Sequence, residues 1–429
     1  MKRLISMLLT VAMLFGLTAC SQSAGLTGAS LVAAPVYPKG IDFEDSDTQR
    51  EVRKNNPVSE GTISAVNKFT YDTAAQILKG SGTNRCYSPL SLYYALGLAA
   101  AGAGGSTREE LLTLLGAEDT AELSEQCGNL YRLLYTDNKL SKLKIANSLW
   151  LDNETGGQKI SFKDSYIKNA TEHFYASLFT VDFAEENTGK AMGKWISENT
   201  NGTLTPEFKT DAQQIMSILN TVYFYDQWVD RFKTENTKED TFYLENGQEV
   251  VCDFMNMTYG SHGFINGDGY TRSSLNLKEN GSMIFILPDE GVAVTDILSS
   301  PQKLEEIFTQ GEDKHGEVVW SVPKFKYGSG FELVDTLKAL GAASAFSLES
   351  ADFSGITDAP AFISGIKQET HISIDENGVE ASAFTKIDYV GAAMPEDKAE
   401  MVLNRPFIYG ITAANGALLF VGVCMNPAS

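Results

Sequence analysis

A chain that breaks covalent bonds carries a nucleophile, a base to activate it and a donor set for developing charge. No such set is evident in these 429 residues. There is no GxSxG turn, no HExxH pair and no phosphate loop. The four histidines, His173, His262, His315 and His371, stand singly, the pattern of structural imidazoles. Gly102-Ala103-Gly104-Gly105-Ser106-Thr107 lacks the lysine that a phosphate loop needs, and is better explained as the end of one helix and the cap of the next. Asp375-Glu376-Asn377-Gly378 opens like a calcium loop but lacks the later ligand spacing. The chain is therefore not expected to be an enzyme, and neither a metal nor a cofactor is expected.

One stretch has a chemistry of another kind. In His371-Ile372-Ser373-Ile374-Asp375 apolar and polar residues alternate at the period of a half-buried strand. After Glu376-Asn377-Gly378, one parity (Val379, Ala381, Ala383, Thr385) is small or β-capable and the other (Glu380, Ser382, Phe384) is mostly polar, so this run is a strand without an assigned partner. From Lys386 to Asn404 nothing repeats at a structural period, and Gly391, Ala392, Ala393, Met394 and Pro395 leave an open backbone. A structureless connection of that length inside a compact domain is usually functional or disordered. Two apolar strands, in Arg405–Ile411 and Ala417–Val423, then close the chain.

This region resembles the serpins, inhibitors of serine or cysteine proteases. Glu376 to Thr385 is similar to the family's acidic, glycine- and alanine-rich hinge, and Arg405-Pro406-Phe407 to the proline-phenylalanine pair after its reactive loop. Further motifs stand in family order: Asn84-Arg85-Cys86-Tyr87-Ser88-Pro89-Leu90-Ser91, Asn220-Thr221-Val222-Tyr223-Phe224 with Trp228, Leu287-Pro288-Asp289-Glu290-Gly291, Val322-Pro323-Lys324-Phe325 and Ala351-Asp352-Phe353-Ser354-Gly355-Ile356. The resemblance covers about Pro57 to Pro427. It implies an α+β serpin fold with a large central sheet A, sheets B and C, about eight or nine helices, and an exposed reactive-centre loop over about 376–404.

It also implies a function. A target serine protease attacks the loop, its own serine forms an acyl bond, and the freed hinge inserts into the main sheet as an added strand. Counting Glu376 as the first loop residue, the seventeenth is Ala392, which gives the reactive bond Ala392–Ala393, with Met394 as the alternative recognition residue. Small uncharged residues suit an elastase-like or subtilisin-like pocket rather than a trypsin-like one. Ser88, Ser91 and Asn220 match the family's polar shutter, with Gln368 where many animal members have histidine. Glutamine donates and accepts, so the network is expected to persist in altered form. Trp228 and Lys324 match the top of the sheet where insertion starts, with Lys324 able to pair with Glu376. Inserted residues that face the core must be uncharged, because a buried unpaired charge costs several kcal/mol. Val379, the first of them, is expected at the surface of the uncut molecule. The competing function is a non-inhibitory serpin that acts as a surface binding protein, its loop being only a protease substrate.

The elements that must position these residues are legible in outline. Met1–Cys20 reads as an export signal: Lys2 and Arg3 at its start, an apolar core over Leu4–Leu17, and Leu17-Thr18-Ala19-Cys20, which resembles a bacterial lipobox. Residues 1–19 are expected to be cleaved, Cys20 to be lipidated, 20–56 to be a flexible tether, and 57–429 to form the inhibitor domain. The protein is then exported and held on the cell membrane by a lipid, facing away from the cytoplasm. Fifty-five acidic against 34 basic residues give a net charge of −21, which argues against nucleic acid or an anionic membrane face as partner. A monomer is expected. Beyond Cys20, Cys86, Cys127, Cys252 and Cys424 have no close spacing and read as isolated buried thiols.

Helical faces are expected over Ile63–Leu78, from Ser88-Pro89 to about Ala101, before Gly116, over Gly189–Glu198, Lys303–Phe308 and Leu333–Leu340. The serine of Ser88-Pro89 is a good cap, and Thr107 with Glu110 has capping-box spacing. Leu143–Leu151, Ile215–Trp228 and Met283–Leu287 are strand candidates.

Overall fold

The computed structural model describes residues 26–80, 82–155, 157–279, 281–379 and 397–429. Its apolar alternations condense into an eight-stranded and a nine-stranded sheet, a small two-stranded hairpin and ten α-helices among the described residues. The α+β architecture expected from the resemblance is the one formed. The helix count exceeds the eight or nine expected, because a single turn at Val294–Ile297 and a helix at Ser46–Asn55 add to it.

The central sheet runs, from one edge, Ala29–Ala33, Ala176–Val181, Ser141–Asp152, Met216–Gln227, Gly378–Val379, Ile363–Asp375 and Phe325–Glu332. Ser141–Asp152 and Met216–Gln227 are almost wholly buried, their polar residues included. On the inner face lies the helix Pro89–Ala100, every residue of which is buried; proline at its first position has no amide to leave unsatisfied. The helix Glu186–Asn199 covers the outer face, with Met192, Trp195 and Ile196 packed on Trp150, Phe179 and Leu219 in a core of their own. In the second sheet the two closing strands Phe407–Thr412 and Leu418–Cys424 lie towards one end, the latter beside the edge strand Arg85–Tyr87.

Three local expectations are corrected. Ser88 stands at the N-cap, but its hydroxyl donates to Leu419 O at 2.8 Å across to the second sheet and caps nothing. The next helix begins at Gly105, which leaves Thr107 buried inside it, while Glu110 accepts from the backbone N–H (2.8 Å) and hydroxyl of Ser344; the capping box does not form. Lys386–Asn404 is not structureless throughout, since Asp397–Val402 is a strand parallel to Glu312–Pro323. Its signal is weak because only Ala399, Met401 and Leu403 turn inward.

Residues 26–56 also differ from the tether expected of them. Ala29–Ala33 adds an antiparallel edge strand on Ala176–Val181, and Tyr37 stacks among Tyr131, Tyr135 and Tyr175 with Lys144 Nζ 4.2 Å from its ring centre. Asp45 caps the helix Ser46–Asn55 through the Thr48 amide. Met1–Cys20 lies outside the described residues.

Candidate functional site

The site is the seam between the strands Met216–Gln227 and Ile363–Asp375. In its lower half they pair directly and in parallel, Ile366↔Ile218 up to Glu369↔Thr221. Above that pair they part, and at the top the two-residue strand Gly378–Val379 fills the space, antiparallel to both: Val379↔Ile374 on one side, Val379↔Asp226 on the other. Six residues down from Ile374 and Asp226 stand Gln368 and Asn220, themselves a register pair. The two halves of the seam thus keep one register, and lateral parting without sliding admits a longer strand.

Val379 is 2% exposed and belongs to the main core, which overturns the expectation that it lies at the surface. The physical reason is the turn before it. Asp375 Oδ1 accepts the amides of Asn377 (2.8 Å) and Gly378 (3.3 Å) and folds the chain back into the gap. At Gly378 a Cβ would come 2.2 Å from Asp226 O, so glycine is required by close approach. The remaining hinge and reactive residues, Glu380, Ala381, Ser382, Ala383, Phe384, Thr385, Ala392, Ala393 and Met394, lie outside the described residues.

The mouth of the seam is held by a polar cluster. Trp228, fully buried, donates Nε1–H to Asp375 O and its amide to Asn377 O, both at 3.0 Å. Glu376, 8% exposed, accepts from Thr237 Oγ1 at 2.8 Å and meets Lys324 Nζ at 3.3 Å, while Lys324 also reaches Asp253 at 3.8 Å. Burial pulls the Glu376 carboxyl upward, but its own amide, the Thr237 hydroxyl and the Lys324 ammonium outweigh that and hold it below the usual glutamate value.

Lower down, the shutter residues converge. Gln368 Nε2 donates to Ser88 O at 2.8 Å and Ser91 Oγ at 2.9 Å and lies 3.2 Å from Asn220 Oδ1, while Gln368 Oε1 accepts the Ser88 amide at 3.0 Å. The Ser91 hydroxyl donates to Asn220 Oδ1, and Asn220 Nδ2 donates to Asn147 Oδ1 at 2.7 Å. All are essentially without solvent exposure, so every bond lost here leaves a dry polar atom. Glutamine thus joins the helix and both strands with one amide. Asn147, Thr237 and Asp253 were missed from sequence. For Asn147 a signal exists, an amide inside the apolar run Ile145–Leu151; for the other two, only the tertiary contact identifies them.

Residues 64–427 match the family model described as "Serpin (serine protease inhibitor)". The chain belongs to the serpin family. Among its relatives, Serpin-Z7 of Hordeum vulgare is 30% identical over 373 residues, covering 82% of this chain and 91% of that one. Serpin B4 of Homo sapiens is 28% identical over 84% of this chain and 98% of its own. Of solved structures, the native state of the thermophilic serpin Tengpin superposes with a TM-score of 0.76 at 25% identity, covering 93% of this chain and 99% of that one. Human thyroxine-binding globulin does so at 0.75 and 21%, covering 85% and 98%, a likeness of fold alone. Protease inhibition is the family's general function, with non-inhibitory members such as thyroxine-binding globulin beside it.

Proposed function

We propose that this chain is a suicide-substrate inhibitor of serine proteases with an elastase-like or subtilisin-like preference, held at a membrane through Cys20. A protease cuts at Ala392–Ala393, or two residues on, after Met394; the bond that breaks is the loop peptide bond, and the bond that forms is the ester between the loop carbonyl and the protease serine. The hinge then continues the strand it has begun.

The observation that carries this reading is the register of Gly378–Val379. Continued residue by residue down both flanking strands, it sets Ala381 between Ile372 and Phe224, Ala383 between Thr370 and Val222, and Thr385 between Gln368 and Asn220. Small side chains therefore meet the core, and a hydroxyl arrives where the shutter amides must separate. Glu380, Ser382 and Phe384 fall on the outer parity.

The test is a panel of elastase-like, subtilisin-like and trypsin-like serine proteases mixed with the purified protein. An SDS-stable adduct with the first two, and a released C-terminal peptide beginning at Ala393, are expected. Cleavage of the loop without any adduct favours instead a binding protein whose loop is merely a substrate.

A further inference from the structure

Glu369 occupies the last pair of the closed seam, opposite Thr221, whose hydroxyl donates 3.0 Å to the Glu369 carbonyl. Its neighbours Gln368 and Thr370 turn into the core, so its own side chain is on the outer face of the sheet. There the carboxyl folds over Gly330 of the adjoining strand: a Cβ at Gly330 would stand 2.8 Å from one carboxyl oxygen and 3.0 Å from the other. The stretch that follows the outer helix crosses the seam above it. Leu204 and Phe208 pack in that helix's core, yet Leu204 reaches to within 3.7 Å of a Cβ placed on Gly328, and Phe208 lies under Lys367 Nζ at 5.0 Å. Among the described residues no cation stands within ion-pair distance of the Glu369 carboxyl; Lys367 is engaged by Glu332 at 2.5 Å. The next outward residue, His371, has a buried Nε2 that finds no hydrogen-bond partner among the described residues.

We propose that Glu369 is a proton-controlled latch on the opening of the central sheet: protonated, it lets the outer cover close over the seam; ionised, it favours parting of the strands and rehydration of the carboxylate. This deepens the proposed inhibitor function, on which its biological use rests, by adding a regulation to loop insertion.

The electrostatics agree with the geometry. Desolvation raises the Glu369 carboxyl to about 7; Lys367 lowers it and Glu332 raises it. The groups that face it are Lys367 and His371 on its own strand and Glu332 and Lys326 on the adjoining one. The outer parity of the opposite strand brings Thr221 and Tyr223, and Glu207 and Lys209 flank Phe208 in the cover. Burial and Lys326 hold His371 below its usual value. A carboxyl raised in the closed state binds its proton more tightly there than in the open one. The closed seam is therefore favoured at low pH and loses that advantage as pH rises from the ordinary glutamate value to about 7. Between pH 6 and pH 8 the opening constant rises by about tenfold at most, the ceiling being set by complete rehydration on opening and reduced by solvent screening.

Opening is measured without any protease, as amide hydrogen exchange at Thr221 and Gln368–Thr370, corrected for the intrinsic rate at each pH. The wild-type chain should show a several-fold rise in opening from pH 6 to pH 8, and Glu369→Gln a flat profile that lies below the wild type at pH 6 and meets it only near the ordinary glutamate value. Gly330→Ala, which pushes the carboxyl out of its niche, should also flatten the profile; it keeps the test decisive should Glu369→Gln fold poorly. Equal pH profiles in wild type and either folded variant overturn the latch. Because exchange needs no adduct, absence of a protease complex beside a pH-dependent seam removes the inhibitor function alone, and an adduct beside a pH-independent seam removes the latch alone.

Discussion

Val379 already sits between Ile374 and Asp226 in the uncut chain, and this changes what a charge placed in the hinge reports. Val379→Arg should act before any protease arrives. It either buries a guanidinium or expels the two-residue strand, lowering unfolding stability by roughly 1–3 kcal/mol as read by the urea midpoint. Ala383, on the same parity but beyond the inserted pair, is the cleaner probe. Ala383→Arg is expected to leave the urea midpoint unchanged yet raise the number of inhibitor molecules consumed per protease inactivated, because insertion slows while deacylation keeps its rate. Glu380→Arg, on the outer parity, should change that ratio little; equal ratios for the two variants would show the parity to be wrong. At this scale the resemblance made Gln368, Asn220, Trp228 and Lys324 legible. It did not make Glu369 legible, because nothing local distinguishes a strand glutamate in water from one folded over Gly330.

Elements with a sustained period were readable in advance, and those built on one or two contacts were not. The helices Glu60–Ile77 and Glu186–Asn199 and the strand Met216–Gln227 carry many residues of one pattern. Ala29–Ala33 is an edge strand of five residues with mixed exposure, and Tyr37 is a single ring anchor; neither leaves a periodic signal. The correction alters reach. If Cys20 carries a lipid, the chain available before the edge strand is residues 21–28, about 28 Å when fully extended, whereas a free segment to residue 56 would span over 100 Å by the same rule. The domain is then held beside the bilayer, and its proteases must come to the surface. Cys20→Ala should move the protein from the membrane to the soluble fraction or leave the precursor uncut. A variant with the parent's fractionation and mass speaks against the anchor.

For the molecule as a whole, the central sheet holds a space between Glu369–Thr221 and the Val379 level that its own register can fill. His371, Ile372 and Ser373 face that space from one strand and Val222 to Tyr225 from the other. A fold that keeps strands parted forgoes ladder hydrogen bonds and apolar cover that a further strand would supply, each bond worth roughly 0.5–1.5 kcal/mol net. On the proposed mechanism, release requires only that the loop be cut, since Val379 is already in register at the mouth and the amides of Gln368 and Asn220 can trade their mutual bonds for the incoming backbone. Cleavage near Ala392 should therefore stabilise the protein. With several bonds gained and the core closed, a rise of roughly 5 kcal/mol corresponds to about 6 °C in Tm for a domain of this size, against an unchanged or lower Tm for nicking an ordinary exposed loop. Scanning calorimetry of the intact chain and of the chain cut within the loop by a catalytic amount of a protease that forms no adduct with it measures it, with mass spectrometry fixing the cut. The Ala383→Arg variant separates insertion from incidental effects: cut in the same place, it should gain much less, because its guanidinium must enter beside Thr370 and Val222 without a partner. Equal melting temperatures for intact and cut wild type would mean that the space in the sheet is not filled by the hinge.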